Sequence, residues 1–388
     1  MTIDGTVAPG FEGVREVFAA NFDKYGDVGA AVAVYRDGRP VVDLWGGYAD
    51  PASGRIWERD TLQLVYSVTK GVTATIAHLL AQRGELDLDA PVARYWPEFA
   101  AADKARIPVR WLLSHRAGLP ALDQPVPLSD ALAWEPMVAA LATQKPVWEP
   151  GTAHGYHGRT YGWLVGEVIR RASGRTVGTI LAEDIAGPLG VDFFIGLPAS
   201  ERARVGRLVF APKSDPAALP LDRIPEALRG LVAAMRDPNS LTNRAFGVTD
   251  PADPDFNAPE VQAAEIPASN GIGTARGLAR LYAALIGEVD GVRLLSSETV
   301  ADAVREQAVG LDRVVCLPSR YASGYMLPTD AFPFGGPKSF GHPGRGGSLA
   351  FADPASGMAF AYVTNHIVEG GIDLRAPDLV AAVNQALA

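Results

Sequence analysis

Tyr66-Ser67-Val68-Thr69-Lys70-Gly71 opens the most strongly patterned stretch of this 388-residue chain. The apolar residues that follow it, up to residue 81, recur at the spacing of a helix, and Gly84 is a natural helix end. In a helix that begins here, Ser67 lies in the first turn, and Lys70 follows three residues later on the same face. A hydroxyl beside an amine that can take its proton, close to N–H groups without helical partners, is the arrangement of an activated nucleophile.

A simpler interpretation of the same stretch is structural. Ser67 could serve only as the N-cap of the helix, because serine fills that position readily, and Lys70 only as a solvated residue of the first turn. The strongly apolar run after Lys70 is where a solvated lysine is least expected. The pattern therefore favours the nucleophile without excluding the cap.

Composition and charge limit the classes of partner. The net charge is −9 and the basic residues form no cluster, which disfavours nucleic acid and anionic membrane surfaces as partners. One cysteine, Cys316, excludes an internal disulfide and suits the cytoplasm. Residues 1–5 have no signal-peptide pattern, and no apolar run is long enough to span a membrane. We therefore expect a soluble cytoplasmic protein, unless a leader peptide has been removed.

The order of the predicted elements indicates an α+β fold. Strands at residues 29–35 and 40–47 are joined by an Asp-Gly turn, and further strands follow at 347–352 and 358–365. Helices and Pro/Gly-rich connections occupy the middle. We therefore predict a sheet domain formed by residues 1–84 and 270–388, and a mainly helical domain at 85–269 with substrate-shaping loops, so that Ser67 lies at the seam. Residues 208–255 are predicted to be long loops with one helix near 225–235.

Two Gly-rich stretches contain candidate partners for Ser67. The first, residues 148–158, includes Tyr156; a phenol there could share the Ser67 proton, and an adjacent ammonium would favour the phenolate. The second, residues 340–348, carries His342 and Arg345 among four glycines just before a strand, where backbone N–H groups can approach a ligand. The structural alternatives are a packed loop aromatic for Tyr156 and a simple tight turn for the second stretch.

Two other sites were weighed and set aside. Ser348 lies in a Gly-Gly-Ser-Leu-Ala segment that lacks the final glycine of the lipase nucleophile motif and falls on a predicted strand. His154 and His157, with His115 and His342 as further candidates, have no nearby Cys or acidic ligand that would complete a zinc pattern. We predict no metal and no cofactor, and we expect His115 to be a buried structural hydrogen-bonding residue.

With these motifs in order, the chain resembles the penicillin-recognising serine hydrolase superfamily, which includes class C-type β-lactamases and DD-peptidases, and it is most similar to family VIII carboxylesterases. Residues 67–70 match Ser-x-x-Lys, residues 156–158 match the Tyr-x-Asn position, and residues 342–344 match the Lys-Thr-Gly position in its His-x-Gly form. The resemblance extends from about residue 29 to the C-terminus. It implies a β-lactamase/DD-peptidase-like fold, with an antiparallel sheet flanked by helices and an all-helical domain.

The resemblance also implies a role for each matching residue. Ser67 would be the acylated nucleophile and Lys70 its proton partner, while Tyr156 would act as base in acylation and as acid toward the leaving group. The N–H groups of Ser67 and Arg345 would form the oxyanion hole. The residues implied to contact substrate are His342, Gly344, Arg345 and His157.

Two departures from the family pattern concern the substrate. Gly158 replaces an Asn that in β-lactamases contacts the amide side chain of the substrate and helps to orient the lysine. His342 replaces a Lys that helps to bind a carboxylate, and a mostly neutral His binds anions less well, although Arg345 could restore some anion affinity. We therefore predict a serine esterase that hydrolyses small carboxylic esters through acyl-Ser67, with weak or no β-lactamase activity.

Other functions remain open at this level. The same acyl-serine would serve an acyltransferase, a D-aminopeptidase or a β-lactamase, and a catalytically silent protein with a penicillin-binding fold is an alternative from another class. The natural substrate and the oligomeric state have no signature in the sequence.

Overall fold

The main sheet of the computed structural model, which describes residues 2–212, 224–330, 332–368 and 373–387, is built from both ends of the chain. Its antiparallel strands lie in the order β1-β3-β2-β15-β14-β13, and β4 pairs with the end of β3. In chain order the strands of the described residues are β1 (Ile3–Val7), β2 (Gly29–Arg36), β3 (Arg39–Asp50), β4 (Arg55–Ile56), β5 (Gln63–Leu64), β6 (Val126–Pro127), β7 (Phe193–Phe194), β8 (Val209–Phe210), β9 (Thr249–Asp250), β10 (Ile272–Gly273), β11 (Ala308–Leu311), β12 (Pro318–Tyr321), β13 (Phe340–Pro343), β14 (Leu349–Asp353), β15 (Met358–Thr364) and β16 (His366–Ile367).

The helices flank this sheet and fill the middle of the chain. Short 3₁₀ segments occur at Val92–Arg94, Pro97–Ala100 and Ala199–Arg204, and a π-helical segment at Leu181–Ala186. The α-helices of the described residues are α1 (Glu12–Tyr25), α2 (Val68–Gln82), α3 (Val109–Leu113), α4 (Leu128–Leu132), α5 (Glu135–Thr143), α6 (Tyr161–Ser173), α7 (Val177–Ile180), α8 (Gly187–Leu189), α9 (Glu226–Arg236), α10 (Leu241–Phe246), α11 (Pro259–Ala263), α12 (Ala275–Ile286), α13 (Ser297–Ala303) and α14 (Arg375–Leu387).

The two faces of the central strands carry side chains of different size. On β15, Phe360 and Tyr362 belong to the apolar cluster that includes α1 and α14, whereas Ala359 and Ala361 belong to the cluster that includes α12. Successive residues of a strand point to opposite faces, so the alternation of large and small residues assigns each helix to its face. The small residues let α12 lie directly against β2, β14 and β15.

The structure confirms the α+β class and most of the strongly patterned elements. The helix predicted from residue 161 is α6, which ends at Gly174 with a left-handed φ of 71°. The helix expected near residues 225–235 is α9, while part of the loop prediction falls on residues 213–223, outside the described residues. β1 was not predicted.

The division of the chain into two domains at residues 84 and 269 stays a prediction. Among the helices of the described ranges, none combines the length and apolarity needed to cross a membrane.

Candidate active site

Ser67 lies at the point where the chain turns from β5 into α2. The turn is made by Tyr66, whose φ of 46° lies in the left-handed region that non-glycine residues rarely adopt. The Val65 N–H donates to the carbonyl of Gly271 at 2.9 Å, which fixes the strand just before the turn. The Ser67 side chain makes no capping hydrogen bond. The alternative in which Ser67 is only an N-cap is therefore contradicted, and its hydroxyl is left for other partners.

Lys70 is fully buried beside this hydroxyl. Its Nζ lies 3.0 Å from Ser67 Oγ, 2.8 Å from the carbonyl oxygen of Gly158 and 3.0 Å from that of Ala268. Burial, and to a lesser degree the positive charge of Arg159, hold the pKa of Lys70 well below its ordinary value of 10.5. An uncharged amine has two N–H groups and one lone pair. The two carbonyls accept both N–H groups, so the lone pair is left for the Ser67 hydroxyl.

Asn270 shapes the loop that supplies one of these carbonyls. Its Oδ1 accepts from the Ile266 N–H at 2.9 Å, and its Nδ2 donates to the carbonyls of Val261 and Ala264 at 2.9 and 2.6 Å. These bonds fold residues 261–270 into a closed loop that turns the Ala268 carbonyl toward Lys70. Four residues further on, Thr274 caps α12. The role of Asn270 was missed.

Tyr156 contacts Ser67 from the side opposite the helix. Its phenolic O–H donates to Ser67 Oγ at 2.7 Å, and its ring stacks on Tyr321 with centroids 6.3 Å apart. The Tyr156 backbone N–H donates to Asp312 Oδ1 at 3.0 Å, which holds this loop in place. Burial raises the pKa of the phenol above its ordinary value, and the hydrogen bond to Ser67 opposes this only in part. The expectation of a phenolate was wrong, because burial raises the pKa of Tyr156 and also lowers that of Lys70, the ammonium expected to favour it.

His157 does not face the site, and its prediction as a substrate contact is corrected. The side chain is fully buried; Nδ1–H donates to the Gly155 carbonyl at 2.7 Å, and Nε2 accepts from the Leu119 N–H at 2.9 Å. Both ring nitrogens are thus used by the backbone. His115 Nδ1 accepts from the backbone N–H of His157 at 3.1 Å, as expected for a buried structural histidine.

His342 lies at the end of β13, with its ring centroid 5.8 Å from that of Tyr156. Burial, with a smaller effect from Lys70, lowers its pKa to about 3, so the ring is uncharged at neutral pH. Its Nδ1–H donates to the Pro343 carbonyl at 2.6 Å, and Nε2 is buried without a hydrogen-bond partner in the described residues. The ring therefore presents a lone pair rather than a positive charge.

The turn after His342 lies against Val65, two residues before Ser67 in the chain. Gly344 N–H donates to the Ser348 carbonyl at 2.6 Å, and a Cβ on Gly344 would lie 2.3 Å from the Val65 carbonyl oxygen. Glycine is required at this position because the two backbones approach too closely for a side chain. Gly344 thus brings the turn beside Ser67, and its own N–H is used within the turn rather than for a substrate.

The Arg345 side chain is paired with an acid. Its guanidinium forms a bidentate contact with Asp253, at 2.7 and 3.0 Å, and lies 5.6 Å from the Tyr66 ring centroid. Arg159 approaches the same carboxylate at 3.4 Å. The expected anion-binding role of the Arg345 side chain is therefore corrected: Asp253 already occupies the guanidinium fork. Its backbone N–H as an oxyanion donor stays a prediction.

Metal-binding geometry was sought in the same region. Across the described residues, no group of three or more His, Cys, Asp or Glu side chains could hold a metal ion. His154 lies apart from His157, with Nε2 2.9 Å from Ser319 Oγ.

Comparison with known proteins gives concordant matches over nearly the whole chain. The pattern of the beta-lactamase family matches residues 14–385. The esterase/beta-lactamase LipL of Mycobacterium tuberculosis is 36% identical over 378 residues, covering 94% of this chain and 83% of the relative. The crystal structure of a family VIII carboxylesterase aligns with a TM-score of 0.87 at 36% identity, and that of a penicillin-binding protein homologue from Caulobacter crescentus with a TM-score of 0.86 at 38% identity; each alignment covers 100% of both chains.

Proposed function

This chain belongs to the beta-lactamase family, and on that premise we propose that it is a serine hydrolase that cleaves carboxylic esters through an acyl-Ser67 intermediate. The observation that carries the proposal is the position of Ser67 Oγ, which lies 3.0 Å from the Lys70 amine and 2.7 Å from the Tyr156 hydroxyl. The esterase/beta-lactamase among the relatives and the family VIII carboxylesterase among the similar structures support ester hydrolysis.

The protonation states assign the base and the acid. Burial lowers the pKa of Lys70, and its Nζ lies 3.0 Å from Ser67 Oγ, so we assign it as the base that takes the proton as Oγ attacks the ester carbonyl. The carbonyls of Gly158 and Ala268 then stabilise the ammonium that forms. Tyr156 is a phenol and gives its proton to the leaving alkoxide, and the ammonium of Lys70 restores the proton to the tyrosine. In these steps Lys70, and not Tyr156, is the base in acylation, which differs from the role that the family resemblance implied for Tyr156.

Deacylation uses the same groups in reverse. Water takes the position that the alcohol has left and attacks the acyl carbonyl; its proton passes to Tyr156 as the phenol gives its own proton to Lys70, and the Lys70 ammonium protonates Oγ as the ester bond to Ser67 breaks. The tetrahedral intermediates require N–H donors. The Ser67 N–H, at the start of α2, and the Arg345 N–H, in the turn that Gly344 holds against Val65, are the proposed pair.

The charges near Ser67 favour a neutral substrate. Burial lowers the pKa of His342 to about 3, the Lys70 amine is engaged by the carbonyls of Gly158 and Ala268, and the Arg345 guanidinium is paired with Asp253. A substrate carboxylate would therefore find no unpaired cation among these three groups. We place the protein in the cytoplasm as part of the same proposal, since its single cysteine suits that compartment.

The test combines turnover with covalent labelling. We expect Ser67→Ala to abolish hydrolysis of short-chain p-nitrophenyl esters and labelling by a fluorophosphonate. Lys70→Met and Tyr156→Phe each remove one proton-transfer group and should lower kcat by about 10²- to 10⁴-fold. Mass spectrometry of the quenched enzyme should locate the acyl group on the peptide that contains Ser67.

Ser348→Ala is the matched control, because Ser348 is the other serine weighed as a nucleophile and its carbonyl, not its hydroxyl, holds the turn. It should retain labelling. Full activity of Ser67→Ala would refute the proposal, and a wild-type protein that neither labels nor turns over would support the catalytically silent alternative.

A further inference from the structure

An aromatic side chain from a distant segment occupies the space beside Gly158. A Cβ on Gly158 would lie 2.8 Å from Phe246 Cε1, closer than two carbon atoms can approach without a shift. The Phe246 ring thus fills the volume into which any side chain at position 158 would project. The two residues were not linked by any pattern in the sequence, because they are far apart in the chain.

Phe246 is also close to the reacting groups. Its ring centroid lies 6.5 Å from that of Tyr156, whose hydroxyl contacts Ser67 Oγ. Phe246 is the last residue of α10 and is 38% exposed, although other residues of this helix are buried. Thr242 and Ala245 of the same helix are buried, and Gly247 N–H donates to the Asn243 carbonyl at 2.9 Å. A partly exposed aromatic ring is therefore held in a fixed position next to Tyr156.

We propose that Phe246 is a specificity-determining residue, and that the substrates of this enzyme are esters whose apolar group packs on the Phe246 ring next to Tyr156. This inference rests on the proposed ester hydrolysis. A substrate that covers the exposed face of this ring buries apolar surface. Each additional methylene that packs there should therefore raise kcat/KM for that substrate. The absent side chain of Gly158 leaves the ring as the wall of the cleft at this point.

The experiment measures how kcat/KM depends on the size of the apolar group. One series keeps p-nitrophenol and varies the acyl group through acetate, butyrate and hexanoate; the other keeps acetate and varies the alcohol from methyl to phenyl and naphthyl. In the wild type, kcat/KM should rise along at least one series. In Phe246→Ala, we expect that rise to fall by about tenfold, with acetate turnover changed far less. The series that loses its slope identifies the group that contacts the ring.

Two variants make the result specific. Phe246→Leu keeps an apolar side chain and should restore most of the slope. Ile56→Ala removes an apolar residue that is 60% exposed on β4, which pairs with the end of β3, and should leave both series unchanged.

The outcomes separate this inference from the proposed function. If Phe246→Ala keeps both slopes, or lowers all substrates equally, the specificity role is wrong while ester hydrolysis stands. If the wild type neither hydrolyses esters nor labels at Ser67, the proposed function fails and the inference fails with it.

Discussion

The guanidinium of Arg375 donates a hydrogen bond of 2.7 Å to the carbonyl of Gly346, so the first residue of α14 holds the turn beside Ser67. Arg375 is fully buried and forms a 2.6 Å ion pair with Asp27, which is also buried. The loop that carries Arg345 is therefore held by the buried guanidinium of Arg375, which is itself paired with Asp27.

Replacement of Arg375 should destabilise the fold. Arg375→Met leaves the Asp27 carboxylate buried without its partner, and we expect the free energy of unfolding to fall by about 3–5 kcal/mol. Urea denaturation measures this directly. Lys24→Met is the control, because Lys24 of α1 pairs with Asp378 of α14 at 2.9 Å but is 59% exposed, and its loss should leave the free energy of unfolding nearly unchanged. Equal effects of the two substitutions would contradict this account of Arg375.

The pH profile should report the protonation of Lys70. Hydrolysis needs the amine uncharged, so kcat/KM should fall only when the pH drops through the Lys70 pKa, which lies well below 10.5. Arg159 is one cause of this lowered pKa. Arg159→Met removes this positive charge. The ammonium form of Lys70 then becomes more stable and its pKa rises, so the acid limb of the profile should move to higher pH.

A distant arginine provides the control for this experiment. Arg320 pairs with Glu306 at 2.7 Å, and Arg320→Met should leave the acid limb in place. An unchanged or lowered limb in Arg159→Met would show that another group controls the profile.

His157 should matter for stability and not for substrate binding. In His157→Phe, the Leu119 N–H and the Gly155 carbonyl lose their buried partner, which should cost about 1–3 kcal/mol of unfolding free energy. The KM for p-nitrophenyl acetate should stay at the wild-type value. A raised KM in a variant of normal stability would return His157 to the substrate contacts.

Gly344 should be intolerant of any side chain. In Gly344→Ala, the new methyl group would lie 2.3 Å from the Val65 carbonyl, so the turn must move away from Val65. A displacement of about 1 Å in a positioning element costs about 10²-fold in rate, and we expect a loss of that size in kcat. The rate of fluorophosphonate labelling should fall with it.

Gly13 offers a matched comparison, because a Cβ there meets nothing within 4 Å. Gly13→Ala lies inside α1 and should leave kcat unchanged while slightly stabilising the helix. Wild-type kcat in Gly344→Ala would show that the turn tolerates displacement.

The sequence was sufficient to place Ser67 and Lys70 on one face of a helix start, and the family resemblance added Tyr156 to them. The groups that position them could not be found in this way. Lys70 reaches the Ala268 carbonyl across 198 residues, and a backbone carbonyl leaves no mark on the identity of the residue that carries it. Only the folded chain shows that Asn270 turns this carbonyl toward Lys70.

The protonation states were hidden for a related reason. The sequence places a phenol and an amine near each other, but the pKa of each depends on how deeply the fold buries it. His157 is a similar case: it follows Tyr156 in the motif, but only the structure shows that its side chain is buried and bonded to the backbone. β1 was missed because its apolar residues are few and half-exposed, so that its pairing with β3 outweighs a weak local signal.

The pairing of β2 with β15 has a consequence for how the protein is made. Phe360 pairs with Val34 in the middle of the sheet, and Tyr362 donates to Asp27 across 335 residues of sequence. A chain emerging from the ribosome presents Ser67, Lys70 and Tyr156 long before β13, β14 and β15 exist, and the turn that carries Arg345 comes nearly as late. Contacts of such long sequence separation form slowly, and they form last. A nascent or truncated chain that has all three side chains but not β13, β14 and β15 therefore lacks the turn that carries the proposed Arg345 oxyanion donor.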